Sequence, residues 1–485
     1  MPNYKAILSG QSWNAPSGLK ISKKPVFLTY SFNVSEWGSS KFGSADKAMA
    51  RKALKMWGNA SGIRFIEVKG DEAELKFQWQ WHWGNVTAWA EFPELNRETF
   101  DGEDMVRDSS GGNVYLNTWH RTEMSKNKAF KLYILLHEIG HALGLKHPFH
   151  KMDHNKQLLK SGLDHVNHTV MSYTGGDANM QSVGLGSLDI QAIRALYGSP
   201  SQDGRQVAKW SWSKTKQTLT QIGKSKADVI YGVAVKDIIK GGNGYDKIYG
   251  FNGDDALYGD IGNDLLSGGE GNDLLYGGLG NDRLSGGDDD DLLYGDVGND
   301  RLSSGWGDDT LHGGAGADTL NAGGEDDTLY GDADNDVLSG GEANDTLHGD
   351  AGNDVLNGDA GDDTLHGGTG SDILTGGQGS DRFAFDTGFN GADDVVQITD
   401  FGNGWDYDMI VLSSWVFTAL EAGFLSKEAF VDGTTAEEAD DRIIFDNVGE
   451  RVAYYDPDGS GSAAPVRFAK ILGLYTISAS DFLIV

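Results

Sequence analysis

Four hundred and eighty-five residues, 39% of them hydrophobic, are enough for two or three domains with buried cores. A formal charge of −32 argues against nucleic acid and anionic membranes as partners and towards cations. With no cysteine there is no disulfide framework and no thiolate metal site, and no stretch approaches the ~18 consecutive apolar residues of a membrane span.

The first residues, Met1 to Leu8, lack the apolar run of a Sec signal peptide. Residues 1–25 read equally as a removable propeptide or as an N-terminal segment of the first domain. Val26 to Phe32 has the apolar, β-branched composition of a strand. Ser44 to Trp57 spaces Ala45, Ala48, Met49, Leu54 and Trp57 along one face of an amphipathic helix, closed by Gly58-Asn59. Strands are expected at 63–68 and 73–79. Val86, Thr87, Ala88, Trp89 and Ala90 form an expected edge strand, stopped by Pro93, and residues 112–117 form another strand. A helix is expected from near Lys128, and a last one from Ser187 to Tyr197 before Gly198 and Pro200.

The helix near Lys128 carries His137-Glu138-Ile139-Gly140-His141-Ala142-Leu143-Gly144-Leu145-Lys146-His147. At i and i+4, His137 and His141 project from one helix face and can grip one ion. Glu138, one step round, can reach water on that ion without being a ligand. Gly144 can take the left-handed conformation that ends a helix, so the chain reverses and His147 arrives as third ligand. Three neutral imidazoles leave zinc a position open for water, the arrangement of a catalytic site. Leu132, Leu135, Leu136, Ile139 and Leu143 make a buried face, but burial alone explains neither Glu138 nor His147.

This H-E-x-x-H-x-x-G-x-x-H pattern is the metzincin signature. Together with Val170-Met171-Ser172-Tyr173 and Leu188-Asp189-Ile190 to Leu196-Tyr197-Gly198, it makes residues 26–198 resemble the catalytic domain of serralysins, secreted bacterial zinc proteases. The resemblance implies an α+β metzincin-like domain at 26–200, Met171 in an apolar turn beneath the zinc, and Tyr173 bound to the metal through its phenolic oxygen at rest. It further implies that Tyr173 swings aside to stabilise the oxyanion. Glu138 is then the general base on the attacking water. A substrate strand pairing antiparallel with residues 86–90 would be held by backbone bonds blind to sequence, which favours broad specificity. One departure is Phe149-His150-Lys151-Met152, where the family has a glycine-containing loop. His150, His154, His165 and His168 crowd the same region, either as solvated loop residues or as a weak second metal site.

Residues 201–222 read as a connecting strand or linker. From Gly241 to Ala384 the period is nine without a slip, giving 16 units, and two degenerate units precede them at 223–240. The sixth position is aspartate throughout and the eighth is always apolar. This G-G-x-G-x-D-x-U-x pattern is that of calcium-binding parallel β-helices in RTX proteins, so 223–384 is expected to be an all-β parallel β-roll. Each unit reads as a six-residue turn and a three-residue strand, two units per coil. One aliphatic residue in nine is a thin core, and residues 241–384 hold 32 acidic against 4 basic side chains. Several structural calcium ions resolve both difficulties, with the sixth-position carboxylates as oxygen ligands. The expected ligands are Asp246, Asp255, Asp264, Asp273, Asp282, Asp300, Asp309, Asp318, Asp354, Asp363, Asp372 and Asp381. Occupancy is left open at 286–294 and 322–348, where Asp289, Glu325, Asp334 and Ala343 replace the fourth-position glycine.

Residues 385–485 resemble the C-terminal β region of serralysins and other RTX exoproteins. The ending Asp481-Phe482-Leu483-Ile484-Val485 resembles the terminal signal of type I secretion substrates. The combined expectation is a secreted, calcium-stabilised zinc endopeptidase acting on proteins or peptides. Its expected partners are the type I export machinery and, as one possibility, a proteinaceous inhibitor. Two other readings stand beside it: an RTX surface or binding protein with a protease-like scaffold, and a metzincin dedicated to one partner protein.

Overall fold

β1 (Val26–Ser31) is buried along its whole length because, in a computed structural model of the chain, strands flank it on both sides. The structure describes residues 5, 8–9, 26–33, 38–70, 72–83, 86–100, 103–110, 112–152, 155–160, 164–173, 183–202, 206–388, 395–402, 407–473 and 476–485, with backbone alone at 94–100 and 103–110. The remaining strands of the front sheet are β2 (Ser39–Lys41), β3 (Ile63–Glu67), β4 (Leu75–Gln80), β5 (Ala88–Ala90) and, after a separate hairpin of β6 (Glu94–Phe100) and β7 (Glu103–Ser110), β8 (Val114–Asn117). Their order is β3-β1-β4-β8-β5, with β2 paired to β4. β5 runs antiparallel to β8 and closes one edge; β3, parallel to β1, closes the other. Of the expected edge strand 86–90, only Ala88–Ala90 enters the ladder.

Helices cover this sheet: α1 (Ser44–Ala60), α2 (Arg121–Lys126), α3 (Lys128–Ala142) and α4 (Ser187–Tyr197). α3 starts where Asn127 caps it, its side chain accepting from Ala129 N at 2.9 Å and Phe130 N at 3.0 Å. From Phe130 onward every residue of α3 is buried, so it is a core helix and not a surface one. A buried ion pair ties it to α1: Lys131 Nζ lies 2.6 Å from Asp46 Oδ1, while Asp46 Oδ2 accepts from Trp79 Nε1. Trp57, Phe77, Trp79, Leu135, Leu136 and Met171 belong to the core so formed.

Contact density divides the chain into residues 1–242 with 247–257 and 267–270, and residues 243–246 with 258–266 and 271–485. In the rear, the nine-residue period becomes a parallel β-solenoid of two stacked sheets, about nine coils over 223–384. Pairing is in register at 18 residues: Leu274 opposes Leu292, Leu275 opposes Leu293, and Tyr276 opposes Tyr294. Every eighth-position residue from Ile248 to Phe383 points inward and is essentially inaccessible. The expected three-residue strand needs correction. Most strands between Lys247 and Gln378 span six residues, as in Leu292–Val297, because positions one to three also pair with the next coil and the turn shrinks to positions four to six; Thr346–His348 and Thr364–His366 keep the expected three. On one outer face the ninth positions stack Tyr258, Tyr276, Tyr294, His312, Tyr330, His348 and His366, with ring centroids 4.3 to 5.3 Å apart.

The two sheets continue past the repeats. Val396–Ile398 and Met409–Leu412 add parallel strands, and Phe482–Ile484 pairs in parallel with Met409–Leu412. The chain's last apolar residues are therefore built into a sheet, with Phe482 fully buried.

Candidate metal centre

Gly140 sits between the two helical histidines with the Met171 side chain directly beneath. A Cβ there would lie 2.5 Å from Met171 Sδ and 3.4 Å from Trp57. With glycine here the Met171 side chain packs directly on the helix backbone, which seats the 169–173 turn under α3. Two further groups fix that turn. Asp189, fully buried on α4, accepts from Thr169 Oγ1 at 2.6 Å, Val170 N at 2.9 Å and Gly186 N at 2.7 Å. Tyr133 Oη donates to the Ser172 carbonyl at 2.7 Å.

The payoff is the orientation of His137, whose Nδ1–H donates to the Val170 carbonyl at 2.6 Å. Likewise His141 Nδ1–H donates to the Leu145 carbonyl at 2.7 Å. With Nδ1 protonated, each Nε2 lone pair faces inward. Gly144, at φ +90°, turns the chain so that His147 Nε2 stands 3.0 Å from both other Nε2 atoms. Among the described residues these three are the one group of three or more His, Cys, Asp or Glu side chains whose ligand atoms all lie within 4.8 Å of one another. Four-coordinate zinc with bonds of about 2.0–2.1 Å needs nitrogens roughly 3.3 Å apart, so the rings would open by only a few tenths of an ångström. Burial holds His137 down to about 3 and His147 down to about 4, and drives His141 well below its ordinary range, so all three are neutral donors at pH 7. The residues present fit a zinc ion.

Glu138 is 5% exposed, and burial pushes its carboxyl up to about 8. Tyr173 stacks on His137, centroids 5.0 Å apart at 17°, and lies 4.6 Å from the His147 ring; burial, then Glu138, raises its phenol to about 12. Phe149, half exposed, stacks on His147 at 5.3 Å and 8°. Lys146 runs back under the loop, its buried ammonium donating to the carbonyls of His147, His150 and Gln157. Asn155 Nδ2 donates to the carbonyls of Lys5 and Leu8, and Leu8 bridges to Leu145. Part of the N-terminal segment is thus packed against the loop that delivers His147; most of 1–25 lies outside the described residues. So does His154. His150 comes near His147, with ring centroids 6.4 Å apart, while His165 and His168 join neither the three imidazoles nor a second such group among the described residues.

In the solenoid the sixth-position aspartates are buried and hold one oxygen each in a ladder. Asp282 N donates to Asp300 Oδ1 at 2.6 Å, Asp300 N to Asp318 Oδ1 at 2.7 Å, and Asp336 N to Asp354 Oδ1 at 2.9 Å. The second oxygen is buried without a hydrogen-bond partner at Asp264, Asp282, Asp291, Asp300, Asp309, Asp318, Asp327, Asp336, Asp345, Asp354 and Asp363. A row of buried, uncompensated carboxylate oxygens is costly, and a hard divalent cation satisfies it. First-position glycines leave the room: a Cβ on Gly259 would lie 2.6 Å from Asp264 Oδ2 and 2.5 Å from the Gly277 carbonyl. The fourth-position replacements do not break this pattern. Asp289, Glu325, Asp334 and Ala343 take φ of +75° to +79°, so each turn keeps a left-handed residue. The exceptions are elsewhere. Ser304 and Ala322 occupy first positions on adjacent coils and put a Cβ beside Asp309 and Asp327, with Ser304 Oγ donating to the Ala322 carbonyl at 3.0 Å. In the tail, Asp408 Oδ1 accepts from Asp381 N and extends the ladder beyond the repeats, while Asp400 accepts from Gly376 N and Gly377 N.

Residues 22–160 match the matrixin family, and the RTX calcium-binding nonapeptide repeat matches at 231–266, 267–302, 303–338, 330–365 and 357–392. Serralysin A and serralysin C of Dickeya chrysanthemi are 29% and 28% identical over 44% of this chain, and serralysin of Proteus mirabilis is 28% identical over 39%. These matches cover 47%, 48% and 42% of the relatives, so the chain spans about half the length of the curated relatives it matches. The chain therefore carries a matrixin domain followed by RTX calcium-binding repeats. The repeats indicate calcium, and the matrixin and serralysin families depend on zinc.

Proposed function

We propose that a matrixin domain joined to RTX repeats makes this chain a calcium-stabilised zinc endopeptidase with broad specificity. The observation that carries the proposal is the convergence of three neutral, tautomer-locked imidazoles beside a buried carboxyl of raised pKa. Zinc held by His137, His141 and His147 would supply Lewis-acid polarisation of the scissile carbonyl and acidify the attacking water.

This chain's residues do the rest. Glu138 accepts the proton of the attacking water and returns it to the leaving amine; a zinc ion beside it would favour the ionised form that the first transfer needs. Tyr173, held against His137 and His147 with its phenol protonated, can donate to the oxyanion as charge develops on it. β5 is an edge strand of the front sheet, so an extended substrate can pair along Val86 to Ala90 through backbone groups alone. Calcium on the aspartate ladder would neutralise the solenoid and hold it folded. Low cytosolic calcium would leave it unfolded for type I export, placing the active protein outside the cell.

Glu138→Gln tests the reading. The variant should bind zinc stoichiometrically and lose on the order of 10²-fold or more in casein cleavage. Undiminished cleavage would refute the base assignment.

A further inference from the structure

The chain's charge is unevenly shared. Residues 1–240 carry 31 basic and 22 acidic side chains, whereas residues 241–485 carry 9 basic and 50 acidic ones. Part of that positive excess is gathered on the edge of the front sheet opposite β5. There, β3 faces β9 (Lys209–Ser213), which pairs antiparallel with β10 (Thr218–Ile222) and is itself the outer strand of its sheet. Between them runs a groove of about 570 Å³, adjoining a second of about 550 Å³ that shares Arg51, Arg64 and Phe65.

Four cations line the larger groove: Arg51, Arg64, Lys69 and Lys214. Among the described residues its one lining carboxylate is Glu67, already engaged by Arg51 at 2.5 Å. The floor is aromatic. Trp210 and Trp212, half-buried, pack on the cluster of Phe27, Ile66 and Leu219, and the Arg64 guanidinium sits 5.3 Å over the Trp210 ring. Since β3 pairs only with β1 among the described residues, alternate backbone N–H and C=O groups along it point away from the sheet.

We propose that this groove binds an acidic polypeptide segment in extended conformation. The strand edge supplies backbone pairing, the tryptophans take alternate apolar side chains, and Arg64, Lys69 and Lys214 recognise carboxylates between them. A globular anion would use the charge but neither the strand edge nor the spaced rings. With β3 and β5 at opposite ends of a five-strand path, the groove lies roughly 20 Å from the cleft edge, so it is separate from the cleavage site. The proposal does not rest on the protease reading.

The test uses the full chain in calcium and a fluorescein-labelled twelve-residue peptide of alternating glutamate and valine, followed by anisotropy. Binding should weaken about tenfold between 50 and 300 mM salt. The Arg64→Glu/Lys214→Glu variant should weaken it at least about tenfold, while Lys126→Glu, remote from the groove, leaves it unchanged. Should charge reversal disturb folding by circular dichroism, Lys69→Gln/Lys214→Gln serves, with at least about threefold loss expected. Equal binding of the glutamine-for-glutamate peptide would overturn the proposal. So would unchanged binding by the groove variants, or binding of heparin in place of the peptide.

Discussion

Asp189 illustrates what a single residue contributes here. It touches no ion, yet it fixes the backbone whose Val170 carbonyl accepts from His137 and so selects that imidazole's tautomer. Asp189→Asn should lower zinc affinity by about 10–100-fold, measured by chelator competition, with α4 still folded. Unaltered affinity would show that the turn holds itself. The histidines, Glu138 and Gly144 were legible in the sequence because their spacing lies within one helix and turn, whereas Met171 was implied only by the family resemblance. Asp189, Lys146 and Tyr133 were not: Asp189 and Tyr133 act across 19 to 39 residues, and a buried aspartate or lysine looks like a surface one until its partners are known. The best available signal was Lys146 itself, a cation closing an otherwise apolar stretch just before the third ligand.

At the scale of one coil, the sequence pattern gave the register and the inward leucines but misjudged the strand. Glycine-rich positions read as turn, yet two left-handed residues per unit let positions one to three rejoin the ladder. The fourth position tolerates Asp, Glu and Ala at φ near +75°, whereas the first must stay bare to leave room beside the sixth-position carboxylate. Replacing Ser304 and Ala322 by glycine should therefore raise the calcium bound per chain at saturation, by one or two ions on elemental analysis; no increase would contradict the assignment. The carboxyls also set a pH dependence for the calcium-free state. Burial raises Asp264 to about 7 and Asp300, Asp327 and Asp336 to about 8, against roughly 3.9 in an unfolded chain. Folding thus favours their neutral forms: opposition to folding is complete above about pH 8 and fades as pH falls towards 4. In excess chelator, strand content by circular dichroism should rise on acidification from pH 8.5 to 5. A fall would show that other groups dominate.

For the whole molecule, the sequence separated a catalytic front from a repeat rear, while contacts group the first coils with the front. Part of the reason is a buried carboxyl no motif announces: Glu74 accepts from Thr29 N in β1 and from Ala234 N at the start of the solenoid. The tail holds a second lesson. Phe482 and Ile484, read as part of an export signal, are buried in a sheet once the chain folds, so any such signal would have to be read beforehand. Holding calcium constant and varying only the transition metal tests the central claim most directly. Full-length protein, kept at saturating calcium and stripped by phenanthroline, should lose at least about 99% of its casein cleavage and regain it with one equivalent of zinc. Cleavage undiminished in material verified to contain no transition metal would contradict the account.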